Sequence, residues 1–237
     1  MKIGLQMYSL REEIHDAESL LAALKKVKEL GYEGVEFAGY FGADAAVVKK
    51  TLDELGLTVV ACHEGVDSLE ANMDSIIEYN HAIGNPWIIC AYSPTENMEQ
   101  MERLQRVLEQ TAEKAAAYGM KVMYHNHAHE FKPIDGKRPL DMIKEYCLLE
   151  LDTYWAFMGG VDPAAYIKEN AARIGTVHLK DGNRQGDACA IGNGEVDVQS
   201  IIDAGNAIGL EWGIVEVESE TVDVDISIRN LRANYKL

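Results

Sequence analysis

The sequence is short of proline, of cysteine and of positive charge. Proline occurs five times in 237 residues, and no Pro/Ser-rich or low-complexity tract divides the chain. It therefore reads as a single domain, 1–237, at the upper end of the single-domain range. The four cysteines, Cys62, Cys90, Cys147 and Cys189, lie far apart with no CxxC or zinc-finger spacing, which argues against a disulfide framework. Cys62, Cys90 and Cys147 sit in or beside apolar runs and are expected to be reduced core residues, in a cytoplasmic protein. Lys and Arg number 22 against 39 acids, a net charge of -17. With no basic stripe to offset that field, nucleic acid is not an expected partner. No apolar run approaches the ~20 residues that span a bilayer. The opening MKIGLQMYSLREE has no apolar h-region, so neither a membrane segment nor a signal peptide is expected.

What is present is a rhythm. Short apolar runs, 2–8, 34–38, 57–64, 86–92, 120–127, 148–155, 175–181 and 212–219, alternate with stretches of helical periodicity such as SLLAALKKVKEL and MERLQRVLEQTAEKAAAY. Gly31, Gly56, Gly84, Gly119 and Gly209 each follow a helical stretch, where a left-handed residue closes a helix. Eight strand–helix units in this length predict an α/β fold, a (β/α)8 TIM barrel. A doubly wound sheet fits less well, because no GxGxxG opens the first helix.

A barrel strand alternates helix-facing and lumen-facing side chains. In LLELDTY, Leu149 and Leu151 oppose Glu150 and Asp152; in GTVHLKD, Val177 and Leu179 oppose Thr176, His178 and Lys180. In GIVEVES, Val215 and Val217 oppose Glu216 and Glu218, and in GVEF, Val35 and Phe37 oppose Glu36. Charge is thus directed to one face near the C-terminal ends of several strands, where barrel active sites sit. In the fifth strand, in KVMYHNHAHEF, parity is open: if Met123 faces the helices, Val122, Tyr124 and Asn126 face inward and Glu130 lies in the following loop.

Glu130, Asp152, His178 and Glu216 make three carboxylates and one imidazole, a donor set for Mn²⁺, Mg²⁺ or Co²⁺, with Zn²⁺ also open. Taken singly, each has a structural explanation: Glu216 with Lys180 as an internal ion pair, His178 as a satisfied core imidazole. The agreement of parity and strand-end position across strands six to eight favours the site.

These residues carry a resemblance. IGLQMYSLRE, YEGVEFAGYFG, YHNHAHEF, LELDTYW with GGVDP, HLKDGN, IGNGEVD and WGIVEVE run in order through almost the whole chain. Together they resemble the xylose-isomerase-like (β/α)8 superfamily of sugar isomerases and epimerases, in its inosose dehydratase-like and 3-keto-sugar branch. The resemblance implies one divalent metal, Mn²⁺ favoured, held by Glu130, Asp152, His178 and Glu216, with Lys180 facing the substrate. Ketose epimerases of this superfamily usually place their strand-five glutamate within the strand, before an asparagine; here Met123 and Tyr124 occupy that region. Where the family often has Asp two residues after the strand-eight glutamate, this chain has Glu218.

The expected activity is that of a metal-dependent isomerase or epimerase of a sugar or keto-sugar, working through an enediolate. Glu216 is the expected base, with Glu130 as ligand and acid and Lys180 on the developing oxyanion. His63, His127 and Trp155 are candidate substrate contacts. A lyase acting on an inosose or 3-keto-glycoside would use the same site, and a non-catalytic sugar-binding barrel is a third reading. A DNA-repair endonuclease of the superfamily is disfavoured by the charge. The two glycines of IGNGEVD are read as a turn in preference to a phosphate cradle. The oligomeric state, homodimer included, is open.

Overall fold

The computed structural model describes all 237 residues. The chain alternates β1 (Lys2–Gln6), α1 (Ala17–Leu30), β2 (Gly34–Phe37), α2 (Ala45–Leu55), β3 (Thr58–Gly65), α3 (Val66–Ile83), β4 (Trp87–Tyr92), α4 (Met98–Ala116) and β5 (Lys121–His125). It continues through α5 (Pro139–Ile143), β6 (Leu148–Asp152), α6 (Thr153–Met158), α7 (Pro163–Glu169), β7 (Ile174–Leu179), a hairpin of β8 (Asp181–Gly182) and β9 (Ala188–Cys189), α8 (Val198–Ala207), β10 (Trp212–Val215) and α9 (Val222–Asn234). Eight parallel strands close in the order β1-β10-β7-β6-β5-β4-β3-β2, the expected TIM barrel. No helix is long and apolar enough to cross a membrane.

The helices other than α6 overlap the stretches of helical periodicity, and their ends have local causes. Asp16, Asp44, Asn97 and Asp162 cap α1, α2, α4 and α7 by accepting first-turn amides. Gly31 and Gly56 close α1 and α2 with φ of 94° and 60°, a left-handed region that costs other residues strain. On α4, Leu104, Val107, Leu108 and Thr111 are buried against the barrel while charged residues face out. Full burial of one such leucine stabilises by about 1.5–3 kcal/mol.

Strand ends differ from the sequence-based boundaries, for capping reasons. The sixth strand stops at Asp152, not at residue 155, because its carboxylate accepts from Trp155 N at 2.7 Å and turns TYW into α6. The fifth stops at His125, where Asn126 crosses to β6: its side chain accepts from Asp152 N at 3.1 Å and donates to Asp152 O at 3.3 Å.

The lumen is layered. Ala61, Ile89 and Met123 form a small apolar cluster of their own, with Trp87 and Leu148 beside it, apart from the main core between barrel and helices. Toward the C-terminal ends the same strand faces become polar: Glu36, His63, His125, Glu150 and His178, then Asp152, Lys180 and Glu216.

Candidate active site

Parity delivers these groups. Val35, Phe37, Leu149, Leu151, Val177, Leu179, Val215 and Val217 all belong to the helix-facing core, so Glu36, Glu150, Asp152, His178 and Glu216 point inward, as the alternation predicts. On β5, whose parity the sequence left open, Met123 does not face the helices. Met123 packs with the lumen residues Ala61 and Ile89, and Tyr124 lies in the helix-facing core. His125 therefore points into the lumen. Between Lys121 and His125 the strand is apolar on both faces, so alternation alone could not choose.

Asp152, His178 and Glu216 are brought together, and the fourth member of their group is His125, with one potential ligand atom from each lying within 4.8 Å of the others. Glu130, expected among the ligands, is not in this group and lies instead with His127 and His129. It follows the strand in a 3₁₀ turn, His129–Phe131. Its carboxylate accepts from Tyr124 Oη at 2.7 Å and from His127 N at 2.9 Å. Because Tyr124 faces the helices, it draws Glu130 to that side of the wall.

At the mouth, Lys180 is fully buried. Its Nζ is 3.0 Å from Glu216, 2.7 Å from Glu218 and 3.8 Å from Asp152, and it lies 4.9 Å from the centre of the Trp155 ring. Burial works against its charge, but Glu216, Asp152 and Glu218 outweigh it and raise its pKa. Burial likewise works against the Glu216 carboxylate, and Lys180 and His178 hold it well below the usual range. Asp152 is pushed up to about 7 by burial, despite Lys180 and His178.

Beneath the mouth, His63 Nε2 is 2.9 Å from Glu36 and 2.7 Å from Glu150. His178 Nε2 is 2.8 Å from Glu36 and 3.1 Å from Glu150, while its Nδ1 turns up to Glu216 at 3.3 Å. Burial opposes protonation of His63, but Glu36 and Glu150 push it up to about 10. His125 is held neutral by burial and by His178. Carboxylates outnumber cations here: Glu36, Glu150, Asp152, Glu216 and Glu218 face Lys180 and the rings of His63 and His178.

Of the expected substrate contacts, His127 and Trp155 stand together at the mouth with ring centres 5.7 Å apart. His127 Nδ1 and Trp155 Nε1 are both buried without a hydrogen-bond partner in the protein. Burial, then Lys180, lowers His127 to about 4. His63 is not with them; it lies a layer deeper, between the two glutamates. Exposed Tyr92, which sequence reasoning did not single out, meets His127 edge-on at 5.8 Å. Glu36 and Glu150 were legible as inward-facing but gave no sign that they converge.

The glycine-rich segment is a turn. The amides of Gly192, Gly194 and Val196 donate to the buried Asp181 carboxylate at 2.9, 3.0 and 3.1 Å, as does Gly182 at 2.8 Å. An internal anion already fills that nest.

Comparison with known proteins agrees with this architecture. An inosose dehydratase of Geobacillus kaustophilus is 28% identical over 188 residues, covering 67% of this chain and 60% of its own length. The crystal structure of a sugar phosphate isomerase/epimerase from Parabacteroides distasonis superposes with a TM-score of 0.83 at 23% identity, covering 98% of both chains. That of the protein IOLI, which holds a bound zinc atom, gives 0.78 at 13% identity over 99% of this chain and 97% of its own. Residues 24–234 match the model of the xylose isomerase-like TIM barrel family, and the chain belongs to that family.

Proposed function

We propose that the chain is an enzyme that removes the proton next to the carbonyl of a sugar or keto-sugar, acting as an isomerase or epimerase. The observation that carries this is the Asp152–His178–Glu216 group with Lys180 set among its carboxylates at the barrel mouth.

The residues fit a divalent metal. Asp152 Oδ2 is fully buried with no hydrogen-bond partner, and the surplus of carboxylates asks for positive charge. Asp152, His178 and Glu216, with His125, would hold the ion. Two imidazoles in the set tilt the choice from Mn²⁺ toward Zn²⁺. Bound there, the ion would polarise the carbonyl and acidify the neighbouring C–H.

The chain's own groups supply the rest. Glu216, ionised beside Lys180, takes the proton. The Lys180 ammonium, fixed by three carboxylates and the Trp155 face, stabilises the oxyanion that develops. His127 Nδ1 and Trp155 Nε1 pair with substrate hydroxyls. Return of the proton to a neighbouring carbon gives an isomer, and return to the opposite face gives an epimer.

A second reading is a lyase that expels a β-hydroxyl as water, the hydroxide taking its proton from Lys180. The inosose dehydratase relative favours it. The experiment is incubation of the protein with 2-keto-inositol and with unphosphorylated ketoses in D₂O, with Mn²⁺ or Zn²⁺ supplied. Deuterium uptake beside the carbonyl, lost in Glu216→Gln, is the expected result. Products of unchanged composition identify an isomerase or epimerase, and products lighter by one water identify the lyase. No uptake and no product with any ketose would overturn the enzymatic reading and leave a sugar-binding barrel.

A further inference from the structure

We infer that the lumen holds a second divalent-cation site, one layer below the mouth, formed by His63, His125, His178 and Glu150. Three histidine rings from β3, β5 and β7 converge there, with ring centres 4.9 Å apart for His63–His125, 4.6 Å for His125–His178 and 5.2 Å for His63–His178. Glu150 Oε2 stands among them, 2.7 Å from His63 Nε2, 3.1 Å from His178 Nε2 and 3.3 Å from His125 Nδ1. One potential ligand atom from each of the four residues lies within 4.8 Å of the others.

Three imidazoles and one carboxylate are a donor set for tetrahedral Zn²⁺. At ordinary zinc–ligand lengths the edges of such a tetrahedron are about 3.3–3.5 Å, so the three Glu150–histidine separations need lengthen by at most about 0.8 Å. The layer is also incompletely satisfied as it stands. His125 Nδ1 and Glu36 Oε2 are fully buried without a hydrogen-bond partner. A buried polar atom left unpaired is costly, and a cation in this layer would give His125 Nδ1 the partner it lacks.

Surrounding groups are placed to hold the ligands. Thr176 Oγ1 donates to the other oxygen of Glu150 at 3.1 Å, and Gln6 donates to Glu36 at 2.7 Å. Glu36 Oε1 meets the same Nε2 atoms of His63 and His178, at 2.9 and 2.8 Å, so it faces the ligand side of both rings and offers a further oxygen beside Glu150. His178 offers Nε2 to this layer and Nδ1 to the mouth, so it lies between the two positions, and a ring with a cation on each nitrogen has given up both protons. The site differs from the one in the proposed function: His63 and Glu150 belong to the lower group alone, Asp152 and Glu216 to the upper alone, and His125 and His178 are common to both.

The test is zinc content by elemental analysis of the full chain after loading with ZnCl₂ and removal of excess, for wild type, His63→Gln and Glu216→Gln. Two equivalents in wild type, falling to one in each variant, is the expected result. One equivalent that survives His63→Gln and is lost in Glu216→Gln would overturn the lower site and leave the mouth site standing. One equivalent lost in His63→Gln and kept in Glu216→Gln would support the lower site and remove the mouth site. No zinc in wild type would overturn both. Should a variant fail to fold, anomalous scattering at the zinc edge from wild-type crystals decides: a peak among the rings of His63, His125 and His178 supports the site, and its absence overturns it.

Discussion

Tyr124 donates its hydroxyl to Glu130 at 2.7 Å on the helix side of β5, while the next residue, His125, points into the lumen. One step along the strand separates the residue that binds Glu130 from a member of the candidate metal group at the mouth. Glu130→Ala should therefore keep its bound metal and lose stability, by about 1–3 kcal/mol for leaving a buried donor unpaired. Metal analysis beside denaturant unfolding checks both. Glu130→Gln adds a pH test. Burial raises the pKa of Glu130 above its ordinary 4.5. The folded state then holds this proton more tightly than the unfolded state, and stability from it is lost as pH rises through the folded value. The stability difference between Glu130→Gln and wild type should move in favour of the variant from pH 4.5 toward neutrality; a constant difference would contradict this.

The two oxygens of Asp152 are placed differently. Oδ1 caps α6 through Trp155 N, and Oδ2 has no partner. Asp152→Asn can keep the cap through its carbonyl while losing the charge. It should fold with near wild-type stability and bind metal much more weakly. Asp152→Ala should lose the cap as well, at about 0.5–2 kcal/mol. Equal metal affinity in wild type and Asp152→Asn would take Asp152 out of the site.

Lys180→Met removes the ammonium that Asp152, Glu216 and Glu218 surround. Breaking a buried ion pair from one side costs about 3–5 kcal/mol, because the partner charges remain. The variant should be markedly less stable in metal-free buffer, with the loss largely repaired by saturating Zn²⁺. Thermal melts with and without the ion measure this. Deuterium exchange on a ketose should fall by at least about a hundredfold, the size seen when an oxyanion donor is removed.

Asp181 organises the 190–196 loop through backbone amides alone. Asp181→Ala should cost at least about 3 kcal/mol, since hydrogen bonds to a charged group contribute about 1.5–3 kcal/mol each. Amide exchange at Gly192, Gly194 and Val196 should speed up together. Unchanged protection there would mean that neighbouring packing holds the loop.

Much of this molecule was determined locally. The alternation of Leu149 and Leu151 with Glu150 and Asp152, and of Val177 and Leu179 with His178 and Lys180, settles which side chains enter the barrel, because a strand has only two faces. The caps and closing glycines punctuate the helices for reasons contained within a few residues. What tertiary structure decided is everything that depends on which apolar face is the inner one and on what meets across the lumen. KVMYH offers apolar residues to both sides, and only the packing of Met123 on Ala61 and Ile89 turns His125 inward and Tyr124, with Glu130, outward. The meeting of Glu36 with His178 joins residues 142 apart in sequence. Barrel closure sets such a contact, and no local pattern encodes it.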